Sequence, residues 1–133
     1  MGFFDFMTED IAIDLGTANT LIIHNDKVVI DTPSIVARDR RTGKIIAVGR
    51  EANLMHGKTH ESIKTIRPLK DGVIADFDAS EKMISMLIKS IPALNNRFFT
   101  PALRMVICIP SGITEVEMRA VKESAERVNG KEV

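Results

Sequence analysis

Short apolar runs broken by turn residues fill the first half of the chain, and two longer amphipathic stretches fill the second. Residues 9–16 read as a strand in which Ile11, Ala12 and Ile13 lead into Asp14-Leu15-Gly16. A second apolar run, 20–23, follows a tight Gly-Thr-Ala-Asn connection, and a third, 28–30, follows Asn25-Asp26. Runs this short, bounded by Gly, Asn and Asp, predict an antiparallel meander. Residues 34–37 and 44–48 predict a further hairpin around the polar turn Asp39-Arg40-Arg41-Thr42-Gly43. Residues 50–55 have room for one or two helical turns, and Pro68 and Gly72 punctuate a connector.

Two helices are predicted beyond it. In residues 78–91, Met83, Ile84, Leu87, Ile88 and Ile91 form one apolar stripe at helical spacing. Asp78 or Ser80 is the expected cap and Pro92 the stop. Residues 105–109 are apolar enough to predict a strand buried on both faces. After Pro110-Ser111-Gly112, Thr114 and Glu117 have capping-box spacing, in which hydroxyl and carboxylate satisfy reciprocal backbone N–H groups. Val116, Ala120, Val121, Ala125 and Val128 are the expected buried face, and Asn129-Gly130 the stop. Residues 131–133 then read as the start of a parallel strand reached by a right-handed crossover. The class is α/β, an antiparallel meander feeding a parallel portion.

Composition narrows the setting. A chain of 133 residues with 44% hydrophobic and 27% charged positions can build one core and does not resemble a disordered segment. Eighteen Lys+Arg balance eighteen Asp+Glu, so no basic surplus points to nucleic acid. The single cysteine cannot form an internal disulfide, and no secretory signal or membrane-spanning run is evident. The expectation is a soluble cytoplasmic chain. The exception is the N-terminus, where Phe3, Phe4 and Phe6 are three of the six phenylalanines. On a helix Phe3, Phe6 and Met7 share a face with Phe4 at its edge. Such a segment is either an interfacial membrane anchor or a tail packed on the body. Gly2 does not make a myristoylation signal, because Phe6 stands where Ser or Thr is required.

The strongest candidate for chemistry is Asp14-Leu15-Gly16-Thr17-Ala18-Asn19-Thr20, between two strands. Phosphate binding needs backbone N–H groups in close approach, which a glycine in a tight turn permits. The Thr17 hydroxyl and Asn19 amide add donors, while Asp14 would hold Mg²⁺, through water. The plain alternative is an ordinary hairpin turn. Other features have blander readings. His56 and His60 are four apart, but Gly57 interrupts them and no third metal ligand is evident. His24 reads as a strand-end residue and Cys108 as a buried, unreactive thiol. Asp71 is expected to serve a turn and Asp76 the start of a helix. The run 38–44 reads as a solvated hairpin tip or, in a filament, a subunit contact.

The segment Ile11-Ala12-Ile13-Asp14-Leu15-Gly16-Thr17-Ala18-Asn19-Thr20 resembles the first phosphate loop of the actin/Hsp70 nucleotide-binding superfamily, in the version carried by the MreB bacterial actins. Three further segments, 31–36, 66–77 and 106–117, agree with those actins in the same order. The resemblance implies the first half of an actin-like ATPase domain, a ribonuclease H-like mixed sheet with helices. It places 1–7 as an amphipathic N-terminal segment, 8–32 and 66–133 as subdomain IA, and 33–65 as the inserted subdomain IB.

For function, the resemblance implies ATP and Mg²⁺ bound at Gly16, Thr17, Ala18 and Asn19, with Asp14 on the metal. It also implies self-assembly into membrane-bound filaments that organise wall synthesis in rod-shaped cells, at the inner face of the cell membrane and beside membrane proteins of the elongation machinery. In that context Phe3, Phe4, Phe6 and Met7 are the expected membrane contacts. The family's second phosphate loop, adenosine loop and water-positioning carboxylate would lie beyond Val133, so no catalytic residue is assigned. The chain therefore reads as a fragment or a truncated form, marginally stable alone and without ATPase activity of its own. Chaperone or sugar-kinase relatives, and a binding module without turnover, are the alternatives.

Overall fold

The computed structural model describes residues 8–57, 61–92, 102–109, 113–127 and 130–132. Its main sheet has five strands in the order β10-β9-β1-β2-β3. β1 (Thr8–Leu15), β2 (Asn19–His24) and β3 (Lys27–Pro33) form the expected antiparallel meander. Asn25 and Asp26 turn it with φ of 53° and 60°, the left-handed pair that a two-residue hairpin of matching twist demands. β9 (Ala102–Cys108) lies parallel to β1, and β10 (Gly130–Glu132) parallel to β9. The sheet is thus mixed, as its sequence pattern predicts.

A smaller sheet, β5-β4-β6, stands beside it. β4 (Val36–Asp39) pairs antiparallel with both β5 (Ile45–Val48) and β6 (Ile63–Ile66), and helix α1 (Gly49–Met55) follows β5. The third strand of this sheet lies in the stretch expected to be a connector. The same stretch holds a miniature hairpin, β7 (Leu69–Lys70) and β8 (Val73–Ile74), turned by Asp71 and Gly72 at φ 53° and 75°.

Helix α2 (Phe77–Lys89) buries Met83, Ile84, Leu87 and Ile88, and Ile91 just beyond it, as its periodicity requires. These meet Ile11, Ile13 and Leu15 of β1, Ile22 of β2 and Met105 of β9 in one core. The cap is Asp76 rather than Asp78 or Ser80: its carboxylate accepts from the Ala79 N–H at 3.0 Å. Asp78 falls inside the first turn, where it faces solvent.

Helix α3 (Glu115–Arg127) starts at the expected box, with a variation. The Glu117 N–H donates to the Thr114 hydroxyl at 3.2 Å, and that hydroxyl donates to the Glu117 carboxylate at 3.0 Å. Val121, Ser124 and Ala125 are buried, but Val116 is 78% exposed. Five residues separate Val116 from Val121, about 140° around a helix, so the two cannot share a face. Ser124 takes a place in the buried face because its hydroxyl donates to the Ala120 carbonyl at 2.8 Å. Val128, Asn129 and the 110–112 turn lie outside the described residues.

The expectation that β9 is buried on both faces is corrected too. Met105 is 3% exposed against the helices, whereas Val106 is 64% exposed and Cys108 is also exposed. Alternate residues of a strand point to opposite faces, and among the described residues only one face of β9 is covered. Cys108 is therefore not a buried thiol. His24 does end β2, and is buried there.

Candidate functional site

β1 and β9 run parallel and finish side by side, with Asp14 in register with Cys108. The connection from β1 to β2 emerges at that edge. In α/β sheets the carboxyl ends of parallel strands are where ligands commonly sit, because loops there can diverge and leave a crevice. Asp14 lies on the exposed alternation of β1 and is itself exposed, while Ile13 and Leu15 turn into the core.

The loop closes tightly. The Gly16 N–H donates to the Asn19 carbonyl at 3.1 Å, leaving Thr17 and Ala18 at the tip. A side chain at Gly16 would place its Cβ 2.5 Å from the Asn19 oxygen, so the turn needs a residue without one. Thr17, Ala18 and Asn19 are all exposed, so the structure brings together the four expected phosphate contacts with Asp14 close behind.

Three supports hold this loop, and sequence reading missed them. Ser34, fully buried, donates its hydroxyl proton to the Gly16 carbonyl at 2.7 Å and its N–H to the Ala18 carbonyl at 2.8 Å. Its oxygen lies 2.8 Å from the Thr20 hydroxyl, also fully buried. Since Ser34 has spent its one proton on Gly16, Thr20 is the donor in that pair. The tip of the β7–β8 hairpin supplies the third support: the Gly72 N–H donates to the Thr17 hydroxyl oxygen at 3.3 Å, leaving the Thr17 proton available to a ligand. Ser34 had a weak signal in its Thr-Pro-Ser context after a strand, and Gly72 a stronger one in the Asp-Gly turn between apolar pairs.

The remaining candidates lie elsewhere. Phe3, Phe4, Phe6, Met7 and His60 are outside the described residues. His56 pairs its Nδ1 with the Thr65 hydroxyl at 2.6 Å. Asp39 anchors the basic tip, accepting from the Arg41 N–H at 2.8 Å and the Thr42 N–H at 3.4 Å. Chiefly because of the Arg41 N–H, its carboxyl titrates below the ordinary 3.8. No helix among the described residues is long and apolar enough to cross a membrane.

The loop residues fit a phosphate group with a divalent ion: a glycine that a Cβ would block, exposed hydroxyl and amide groups, and a carboxylate set back from them. Known proteins with the same sequence features agree on the lineage. Residues 8–133 match the MreB/Mbl protein family model. The chain is 50% identical over 131 residues to cell shape-determining protein MreB of Pasteurella multocida, covering 95% of this chain and 37% of that protein. It is 50% identical over 125 residues to cell shape-determining protein Mbl of Bacillus subtilis, covering 93% and 37%. The crystal structure of MreB5 of Spiroplasma citri bound to ADP superposes with a TM-score of 0.77 at 34% identity, over 95% of this chain and 37% of that one. The chain thus spans little more than a third of the length of the relatives it matches, and its sheet, helices and loop are those of an actin-like fold. It belongs to the MreB/Mbl family.

Proposed function

We propose that this chain supplies one wall of an ATP site in a bacterial actin that takes part in determining cell shape. Gly16, Thr17, Ala18 and Asn19 contact the nucleotide phosphates, and Asp14 holds Mg²⁺ through water. The observation that carries the reading is the loop itself: a glycine-closed turn at the carboxyl ends of β1 and β9, braced from behind by Ser34 and presenting Thr17 and Asn19 outward. The ADP bound to MreB5 of Spiroplasma citri, a 34% identical relative, supports it. Bound nucleotide supplies a polyanion and a scissile phosphoanhydride; this chain's part is to bind and orient, and no catalytic residue is assigned to it.

On the same reading the longer family form self-assembles into filaments in the cytoplasm, at the inner face of the cell membrane. There it organises wall synthesis with membrane proteins of the elongation machinery, and Phe3, Phe4, Phe6 and Met7 make the lipid contact. The cell shape-determining relatives support this role, and family membership removes the chaperone and sugar-kinase alternatives.

Titration with Mg-ATP of the longer family form carrying this segment tests the site. Thr17→Ala with Asn19→Ala deletes two donors to charged oxygen, each worth about 1.5–3 kcal/mol, so affinity should fall tenfold or more. Equal affinity in the double variant removes the loop from the site. No binding by either form, with the fold intact, favours the binding module without nucleotide.

A further inference from the structure

The small sheet has a thin core of its own. Its buried cluster is Ile35, Ala37, Ala47 and Ala52, so three of the four side chains are single methyl groups. The other face of the sheet joins the main core, where Val36 is fully buried and Ile45, Val48 and Ile66 pack against it. Beside that apolar contact, one link to the main body is ionic. Arg38 of β4 points its Nη2 at the α2 start, 3.7 Å from Asp76 Oδ2 and 3.5 Å from Asp78 Oδ2. The Arg38 side chain is 25% exposed, and its Nε is buried without a hydrogen-bond partner among the described residues. Its burial is therefore offset through the one edge that faces the two carboxylates. Asp76 is itself fixed, since its other oxygen caps α2.

The opposite end of the same segment is the brace of the candidate loop. Four residues before Arg38, Ser34 bonds to both Gly16 and Ala18. Val36, between the two, is buried in the main core, so the Arg38 pair adds a second anchor at the far side of it from Ser34, and a tilt of β4 about Val36 would pull on the loop.

We propose that Arg38 is a positioning residue for the 16–19 loop: it latches β4 to the N-terminal end of α2, and so fixes the Ser34 brace. The consequence for nucleotide rests on the site assigned above; the latch and its effect on the loop do not.

Amide hydrogen exchange on the full chain decides it, read at Gly16 and Ser34, whose N–H groups close and brace the loop, and at the β4 and β5 amides. Arg38→Met keeps the apolar stem and removes the charge. It should speed exchange at these amides roughly two- to fivefold, the range a partly exposed ion pair commands, and leave the β1–β2 ladder unchanged. Asp78→Asn, which leaves the Asp76 cap intact, should act in the same direction and add nothing in the Arg38→Met background. Arg38→Lys should recover part of the protection. Added salt should loosen the parent and not the Arg38→Met variant. Unchanged exchange, a uniform rise across β1–β3, or a full Asp78→Asn effect in the Arg38→Met background each overturns the proposal. A parallel Mg-ATP titration of the longer family form carrying this segment keeps the two readings apart. If that parent binds no ATP, the nucleotide site fails while the exchange result still decides the latch. If it binds and Arg38→Met loosens the loop, affinity should fall with the loss of protection.

Discussion

Ser34 and Thr20 share one buried hydrogen bond whose direction is fixed: the Ser34 proton goes to the Gly16 carbonyl, so the Thr20 hydroxyl donates to Ser34. Ser34→Ala breaks this relay twice, leaving a buried hydroxyl and a loop carbonyl without their partner. Such orphaned groups cost about 1–3 kcal/mol. Denaturant unfolding should register a loss of that size. Thr20→Val, which removes a donor and leaves the Ser34–Gly16 bond in place, should cost less.

Gly16 matters for space rather than for backbone freedom. A methyl group added at this position would meet the Asn19 oxygen at 2.5 Å, and that oxygen belongs to the backbone, which yields only by opening the turn. Gly16→Ala should therefore break the Gly16–Asn19 bond and cost about 1–3 kcal/mol, the usual range for overpacking. Loss of exchange protection at the position-16 amide, with the core amides of β1 unaffected, is the expected signature. Retained protection would mean that the loop has another conformation open to it.

The meander, the α2 stripe, the Thr114 box and the tight turn at Gly16 were all legible in the sequence because each is local. Turn residues, helical spacing and a glycine between strands act within a few positions. What was not legible is what partner elements decide. β6 carries only Ile63 and Ile66 as apolar positions and forms because β4 offers it an edge. Ser34 lies 18 positions from Gly16, so its Thr-Pro-Ser context is a weak signal that does not say which loop it braces. The same reason explains the misreading of β9: its apolar run permits burial on both faces, but which faces are covered depends on other elements. Val116 is different, an error of helical phase that the spacing alone could have corrected.

Asp39 makes a prediction about pH. Its carboxyl is held below 3.8 mainly by the Arg41 N–H, with smaller help from Thr42 and from the Arg41 charge. A folded value below the unfolded one stabilises the tip at pH above the unfolded value, and the contribution is lost as pH falls through the folded value. An NMR titration should place the Asp39 midpoint below 3.8, with the Arg41 amide shift following the same curve. Because a backbone donor leads, Arg41→Ala should retain most of the depression. A midpoint that returns to the ordinary value in that variant would make the side-chain charge the cause.

Cys108 is the accessible neighbour of Asp14: the two are paired in register at the carboxyl ends of β9 and β1, and both are exposed. In-register residues of adjacent strands project from the same face, their Cβ atoms about 5 Å apart. A maleimide should therefore modify the native chain at Cys108 without denaturant, which a buried thiol would resist. If Asp14 holds Mg²⁺ with nucleotide phosphates on the loop, Mg-ATP should slow that reaction, by occlusion and by placing a polyanion beside the forming thiolate. Asp14→Asn should weaken the protection and leave the unprotected rate of the same order. A native chain that reacts only when unfolded would contradict the exposed position of Cys108. Rapid labelling that Mg-ATP leaves untouched, at concentrations where binding is established, would move the metal away from Asp14.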